Sequence, residues 1–517
     1  MGKMIAQSIK LHGILTIVSA VIIVLTTQGI LCADVPPASS DTHPPILIGN
    51  SATQLVTVQS GAFGGNEPDE AFLETIRSSK WNDLNGTQSS QDKLQQFISK
   101  ITTTNSIAPM YVQGWPYPAS EAHAQTSQSG LLIDMDAFRA DPRFAAVDGQ
   151  GLAVAILDTG IDLDHPYFGL DNDSDGVADR IVFNQDFTPD GDPNAQDVNG
   201  HGSNVSGIIA SEHAIRAGMC PGVDIIHLQV LGDGGGGQFG WLETALQWVI
   251  SNHATYNIAA VNMSLSDGEN WSMTSSPYGI GDELAALAAA DIVVGSSAGN
   301  YFYPFNSVQG VGYPAADPNT LAVSAVYDSG STGYYYFNGA KAFSSGPDRI
   351  TPFSQRHITL TDIFAPGAPI TNAGPIGNVI TYHGTSQAAP HITGIAVLAR
   401  QLAEQHLGRR LTVVEVRQLL RDTGATIHDG DDEDDNVVNT NLNFQRVDML
   451  ALAEAILAMA SCPGDFDEDG DIDGSDFWAF TNTFANRDPE ADLTQDGLIN
   501  GGDLQIFTQN FGEFVCP

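Results

Sequence analysis

Ser386 stands in Gly384-Thr385-Ser386-Gln387-Ala388-Ala389-Pro390-His391, directly before an apolar helical run from Ile392 to Leu402. That puts a hydroxyl at a helix N-terminus, where free N–H groups and the helix dipole favour negative charge. A serine that attacks a carbonyl generates an oxyanion and needs such surroundings. Taken alone, the residue reads as an ordinary N-cap. Serine is a weak nucleophile at its own pKa; it needs a base, and the base needs a carboxylate to orient it. The chain holds one of each with glycine beside it: Asp158 in Asp158-Thr159-Gly160 and His201 in Asn199-Gly200-His201-Gly202. Asn300, after the strand-like Val293–Gly299, adds a side-chain amide able to donate to the oxyanion. Each residue alone is a turn or cap residue. Together they form a set for nucleophilic attack on a carbonyl.

The elements that must position them are those of an α/β domain over residues 131–460. Leu152–Leu157 is a continuous apolar run, the pattern of a parallel strand buried on both faces. Further strands are expected at Asp224–Val230, Ala259–Met263, Ile292–Gly295 and Thr320–Val326. Helical patterns alternate with them at His201–Glu212, Gly240–Asn252, Asp282–Ala290, Ser386–Glu404 and Thr412–Asp422. The alternation predicts a doubly wound, mainly parallel sheet. Ligands of such sheets sit at the carboxyl ends of the strands, where Asp158 falls.

At this point the domain resembles the subtilisin-like serine proteases. Asp158-Thr159-Gly160-Ile161-Asp162 resembles the family's aspartate block, and Asn199 to Gly207 its histidine block. Ser297-Ala298-Gly299-Asn300 resembles the oxyanion block and Gly384 to His391 the serine block. The order Asp, His, Ser is the one known for that family. The resemblance implies that Ser386 attacks, His201 moves the proton, Asp158 orients His201, and Asn300 with the Ser386 N–H binds the oxyanion. It also implies that substrate backbone adds as a strand between Gly235-Gly236-Gly237 and Ser264-Leu265-Ser266, with Gly312 at the floor of the first specificity pocket. Phe364-Ala365-Pro366-Gly367 fits the family as well. Ser203, Asn204 and Ser206 depart from the family's Thr, His and Ala. Ser266 and Asp267 replace glycines beside the pocket, and Gln387 replaces methionine after the serine. The activity implied is protein or peptide hydrolysis; the rival is an idle surface-attachment or binding protein on the same scaffold.

Charge is lopsided, with 61 acidic residues against 20 basic and a net charge of −41. Such a chain repels nucleic acid and attracts divalent cations. Asp171, Asp173, Asp175 and Asp179 alternate around Gly176 in the manner of an oxygen-rich calcium loop, although an acidic solvated insertion has the same composition. Residues 461–517 form a distinct module. Asp465, Asp467, Asp469, Asp473 and Asp476, with Asp471 between them and Gly470 at the turn, follow calcium-loop spacing. Asp492, Thr494, Asp496, Leu498, Asn500 and Asp503 repeat it 27 residues later, each loop running into an aromatic helix-like patch. The pair resembles dockerin modules, small α-helical units with EF-hand-like calcium loops. That resemblance implies bound Ca2+ and a cohesin-type partner; a stabilising appendage without a partner is the alternative.

Lys3 and Lys10 precede an apolar stretch from Ile14 to Leu25, and Leu31-Cys32-Ala33 suits a cleavage site, so residues 1–33 read as an export signal. Retained, Ile14–Ala33 would be a membrane anchor. A secreted protein is expected, with a cell-surface or membrane-anchored one as alternative. In an exported chain Cys462 and Cys516 are the expected disulfide, leaving Cys220 a buried thiol. Residues 34–130, rich in Ser, Thr, Gln, Ala and Pro, read either as a mobile linker or as a prosegment.

Overall fold

The apolar run before Asp158 becomes the strand Ala153–Asp158, buried along its whole length. In the computed structural model the described residues are 108–117, 126–331, 333–430, 433–460, 463–467, 471–494 and 496–512, with three N-terminal strands. Ala153–Asp158 lies inside a nine-stranded sheet. Asp224–Gln229 and then Ile181–Asp186 flank it in parallel on one side. Ile258–Met263, Val293–Ser297, Leu321–Tyr327, Ile363–Ala368 and Leu442–Arg446 follow in parallel on the other. Ala425–Asp429 closes that edge antiparallel. The doubly wound expectation is met, with four strands the apolar runs did not reveal. Ile181–Asp186, Leu442–Arg446 and Ala425–Asp429 are half-polar edge or near-edge strands, where solvent permits side chains a central strand excludes. Ile363–Ala368 carries Pro and Gly, which hid it.

The expected helices form at His201–Ala210, Phe239–Tyr256, Gly281–Ala289, Thr385–His406 and Val413–Thr423. Thr385–His406 is buried from Thr385 to Ala403. It packs against the sheet, with Ile392, Ile395, Val397 and Leu402 among its fully buried side chains, and this burial fixes its N-terminus. Met449–Ala460 joins the same core.

The chain divides into two compact units, residues 110–235 with 241–517, and residues 1–109 with 236–240. Residues 110–117 and 126–130, grouped with the leader on sequence, belong to the unit that holds the sheet. In the N-terminal unit Val21–Thr26 pairs antiparallel with Gly29–Asp34 and Gln54–Val58. The helical patch expected at Asp69–Ile101 lies outside the described residues. No described helix is long and apolar enough to cross a membrane.

In the C-terminal module the helices Gly474–Asn486 and Gly501–Asn510 each start on a capping box, Asp473 with Asp476 and Asn500 with Asp503. Ile472, Phe480, Ala491 and Phe507 make a small core, with the rings of Phe480 and Phe507 stacked 4.3 Å apart.

Candidate active site

Asp158 ends its strand with the carboxylate buried. Its Oδ1 accepts from the Thr159 N–H at 2.8 Å and lies 2.7 Å from His201 Nδ1. His201 opens its helix, and both side chains are fully buried. The approach depends on Gly202: a Cβ there would lie 2.1 Å from the Gly160 carbonyl oxygen, so only glycine lets the helix start sit on the aspartate turn. Asp197 braces both pieces. It accepts from Thr159 Oγ1 at 3.1 Å, the Gly200 N–H at 2.9 Å and Ser203 Oγ at 2.6 Å. Burial pushes its carboxyl up to about 6 against those bonds. Ser203 keeps the hydroxyl this contact needs, as a threonine would.

Ser386 occupies the second position of its helix. Pro390, inside that helix, has no N–H to give the Ser386 carbonyl four residues earlier. Ser264 fills the gap: its Oγ donates to the Ser386 carbonyl at 2.7 Å, and Asn262 Nδ2 donates to that Oγ at 2.9 Å. In return Ser386 Oγ donates to the Ser264 carbonyl at 2.9 Å. Asn300 is oriented from the same helix start. Its Oδ1 accepts from the Thr385 N–H and Oγ1, both at 2.9 Å, which assigns the amide so that Nδ2 is the free end. His201 Nε2 and Asn300 Nδ2 are both buried without a hydrogen-bond partner. Unmade bonds of this kind cost about 1–3 kcal/mol each. Two in one site mark groups held ready for a reacting atom.

The chain itself runs through this site. Pro109–Val112 forms a strand whose Val112 and Tyr111 stand opposite Leu265 and Ser266, antiparallel. On its other side the Val112 N–H donates to the Gly235 carbonyl at 3.0 Å. The Gln113 N–H reaches the Ser264 carbonyl at 3.4 Å, and the Gln113 carbonyl accepts from the Ser386 N–H at 2.9 Å. Gly114 follows; a Cβ built on it would stand 3.1 Å from His201 Nε2. Trp115–Tyr117 then pairs antiparallel with Thr381–His383, just before Ser386. Gly384 makes room, since its Cβ would fall 2.1 Å from the Gln113 oxygen, and its N–H is held by the Gly367 carbonyl at 2.9 Å.

Of the substrate-side residues expected on sequence, Gly235, Ser264, Leu265 and Ser266 meet at this strand. Gly312 lies under Ser266, where its Cβ would come within 2.9 Å of Ser266 Cβ. Gly236 and Gly237 fall in the strand Gly236–Gln238, which groups with the N-terminal unit. Asp267 presents no free charge to the pocket. Its Oδ1 accepts from the Tyr313 and Glu269 N–H groups at 3.0 Å, and its Oδ2 from Trp271 Nε1 at 2.8 Å and the Tyr278 hydroxyl at 3.2 Å. The two departures Asn204 and Gln387 touch: Gln387 Nε2 donates to Asn204 Oδ1 at 3.3 Å. Sequence reasoning missed Gln113 and Gly114, which carry no motif.

Among the acidic loops, Asp171, Asp173 and Asp179 bring carboxylate oxygens within 4.8 Å of one another, as do Asp465, Asp467 and Asp476, and Asp471, Asp473 and Asp476. All donors are oxygen, the set a hard divalent cation takes. In the first loop, however, Asp171 already accepts from the Ser174, Asp175 and Gly176 N–H groups, and Asp179 from Asn172. Among the described residues Asp175 joins no such group. Among the described residues of the second repeat no three carboxylates converge; Asp492 and Asp503 instead accept from Thr494, and Asp496 and Asn500 from the loop's own N–H groups. Asp469, Cys462 and Cys516 lie outside the described residues. Cys220 is a buried free thiol, pushed up to about 12 by burial.

Residues 149–447 match the subtilase family. An intracellular serine protease of Paenibacillus polymyxa is 28% identical over 315 residues, 60% of this chain and 84% of its own. Subtilisin E of Bacillus subtilis (strain 168) is 30% identical over 294 residues, 56% of this chain and 62% of its own. Subtilisin of Bacillus pumilus is 31% identical over 252 residues, 48% of this chain and 77% of its own. A solved cold-adapted subtilisin-like serine proteinase is 26% identical, with 54% of this chain and 83% of that one covered and a TM-score of 0.41.

Proposed function

Because the chain belongs to the subtilase family of serine-type endopeptidases, we propose that Ser386, His201, Asp158 and Asn300 divide the work of peptide-bond hydrolysis as follows. Ser386 Oγ leaves the Ser264 carbonyl by rotation about χ1 and attacks the scissile carbonyl. His201 Nε2 takes the proton and returns it to the leaving amine. Asp158 holds Nδ1 as the protonated nitrogen and stabilises the imidazolium. The Ser386 N–H and Asn300 Nδ2 receive the oxyanion. One observation carries this reading: a single peptide group, Gln113–Gly114, has its carbonyl on the Ser386 N–H and its far side against His201 Nε2. The test is labelling by a fluorophosphonate probe together with casein digestion, after the chain has been incubated at working pH. Wild type is expected to label and digest, and Ser386→Ala to do neither. A labelled Ser386→Ala variant would sink the assignment.

The remaining reading is of an exported protein with a calcium-bound C-terminal docking module. The N-terminal charge and apolar pattern support export. The converging carboxylates of Asp465, Asp467, Asp471, Asp473 and Asp476 support Ca2+, which would tie the loop to the start of the helix Gly474–Asn486. The repeated loop spacing supports a cohesin-type partner. A calcium titration of the full chain, read by the intrinsic fluorescence of Trp478, should show a saturable change lost on Asp465→Ala; no response would refute metal binding there.

A further inference from the structure

Trp115 is the second residue beyond the Gln113 carbonyl, on the side where a leaving amine would extend. Its backbone stands opposite His383 in the antiparallel pair with Thr381–His383. Its ring meets two others: Tyr336 at 5.4 Å, tilted, and Phe353 at 5.3 Å, edge-on. Tyr336 and Phe353 also meet each other edge to face, 4.8 Å apart. Ring pairs attract at such separations and angles. Both walls are held by the fold. Phe353 is fully buried, and its carbonyl accepts from the Phe302 N–H at 3.1 Å. Tyr336 stands at the turn of a hairpin between the strands Tyr334–Tyr335 and Lys341–Ser344. Its hydroxyl lies 2.9 Å from the Tyr327 hydroxyl and 3.1 Å from His383 Nδ1. Burial pushes the His383 imidazole down to about 3, so it puts no charge beside the ring. At the tip of the hairpin Asn338 Nδ2 donates to the Asn300 carbonyl at 2.6 Å, and Asn436 Nδ2 donates to the Gly339 carbonyl at 3.0 Å. The hairpin is thereby tied to the residue proposed to receive the oxyanion.

We propose that Tyr336 and Phe353 form a subsite for an aromatic side chain two residues beyond the scissile bond, so that the enzyme prefers protein substrates with Trp, Tyr or Phe there. This rests on the catalytic roles proposed above, which make the carbonyl on the Ser386 N–H the place of the scissile bond. Trp115 shows the kind of occupant that fits, and a substrate ring takes the subsite when Trp115 is withdrawn. Because Tyr336 is fixed through its hydroxyl and Phe353 through its burial, an incoming ring meets walls that need no ordering. Two ring pairs together favour an aromatic side chain over alanine by at least ~10-fold.

The experiment uses the full chain, incubated at working pH, and reads the leaving-group side by itself. The enzyme is acylated with the benzyl ester of acetyl-Tyr-Val-Gln, and the acyl group is shared between water and an added dipeptide amide, Gly-Trp-amide or Gly-Ala-amide. Mass spectrometry of the products gives the partition. Gly-Trp-amide is expected to capture the acyl group at least ~10-fold better than Gly-Ala-amide. Tyr336→Ala should bring that ratio within ~3-fold, and Tyr336→Phe, which keeps the ring, should hold most of it. Phe337→Ala, on the same turn with its ring 89% exposed, should leave the ratio as it is. An unchanged ratio in Tyr336→Ala, or an equal loss in Phe337→Ala, overturns the role of Tyr336. Should Tyr336→Ala misfold, the wild type still decides: its casein fragments should show Tyr, Phe or Trp at the second residue after the cut more often than casein contains them. An enzyme that labels and digests casein but treats the two amides alike, or cuts casein without that enrichment, overturns this inference and leaves the proposed function standing. A chain that neither labels nor digests casein overturns both.

Discussion

Replacing Ser264 by alanine tests the support beneath the nucleophile. The Ser264 hydroxyl is the donor to the Ser386 carbonyl, at 2.7 Å, and the acceptor for Asn262 Nδ2, at 2.9 Å. Both partners are buried, and Pro390 cannot supply the missing N–H. Ser264→Ala therefore leaves two buried polar groups unmet, at about 1–3 kcal/mol each, or about 2–6 kcal/mol together. The measurement is urea unfolding in a Ser386→Ala background, which prevents self-digestion and keeps the carbonyl. Pro390→Ala should change the outcome, because residue 390 would then carry an N–H for the Ser386 carbonyl. In that background the cost of Ser264→Ala should fall by about 1 kcal/mol, the worth of one recovered bond. In the active enzyme Ser264→Ala should also lower kcat at least ~10-fold, since a displaced helix start misplaces both Oγ and the oxyanion-binding N–H. A fully additive double mutant would refute the reasoning, as would a Ser264→Ala variant as stable as its parent.

If Asn300 acts as proposed, donating its amide only in the transition state, Asn300→Ala should lower kcat by ~100- to 1000-fold with KM little changed; initial rates on a peptide substrate check this. Asp328, buried against the Ser129 and Ser329 hydroxyls, is pushed up to about 7 by burial. Its unfolded value is about 3.9, so the unfolded chain ionises first and this group withdraws stability as pH climbs from about 4 to 7. Asp328→Asn should therefore gain on wild type between pH 5 and pH 8 in urea midpoint; a constant difference would refute that. Arg356 forms a buried bidentate pair with Asp429, at 2.7 and 2.9 Å, with the Phe302 ring 3.7 Å from the guanidinium carbon. Asp429→Ala strands that cation and should cost about 3–5 kcal/mol, read by urea unfolding, whereas a loss below 1 kcal/mol would show the pair to be dispensable.

The residues proposed for catalysis were legible as a set and not one by one, because the chemistry demands a combination of residue types and the backbone around them demands glycine. Gly202 and Gly384 show why: each stands where a Cβ would strike another segment at 2.1 Å. The central strands were legible because burial on both faces leaves unbroken apolar runs. The half-polar edge strands were not, since solvent on one side permits other patterns. Asn204 and Gln387 looked like two separate departures from the family; in the fold they are one contact. The acidic loops were legible as oxygen-rich, but among the described residues only the first C-terminal loop and the Asp171–Asp179 loop draw three carboxylates together.

By itself the sequence determined the reaction chemistry and the α/β architecture, since both are written in residue type, local spacing and apolar periodicity. The tertiary structure alone decided that Ser264 replaces the amide Pro390 lacks, that Asp267 spends its charge inside the fold, and that Gln113–Gly114 lies in the cleft. Each of those depends on contacts between residues far apart in the chain, and no local pattern encodes which distant carbonyl a given N–H will meet.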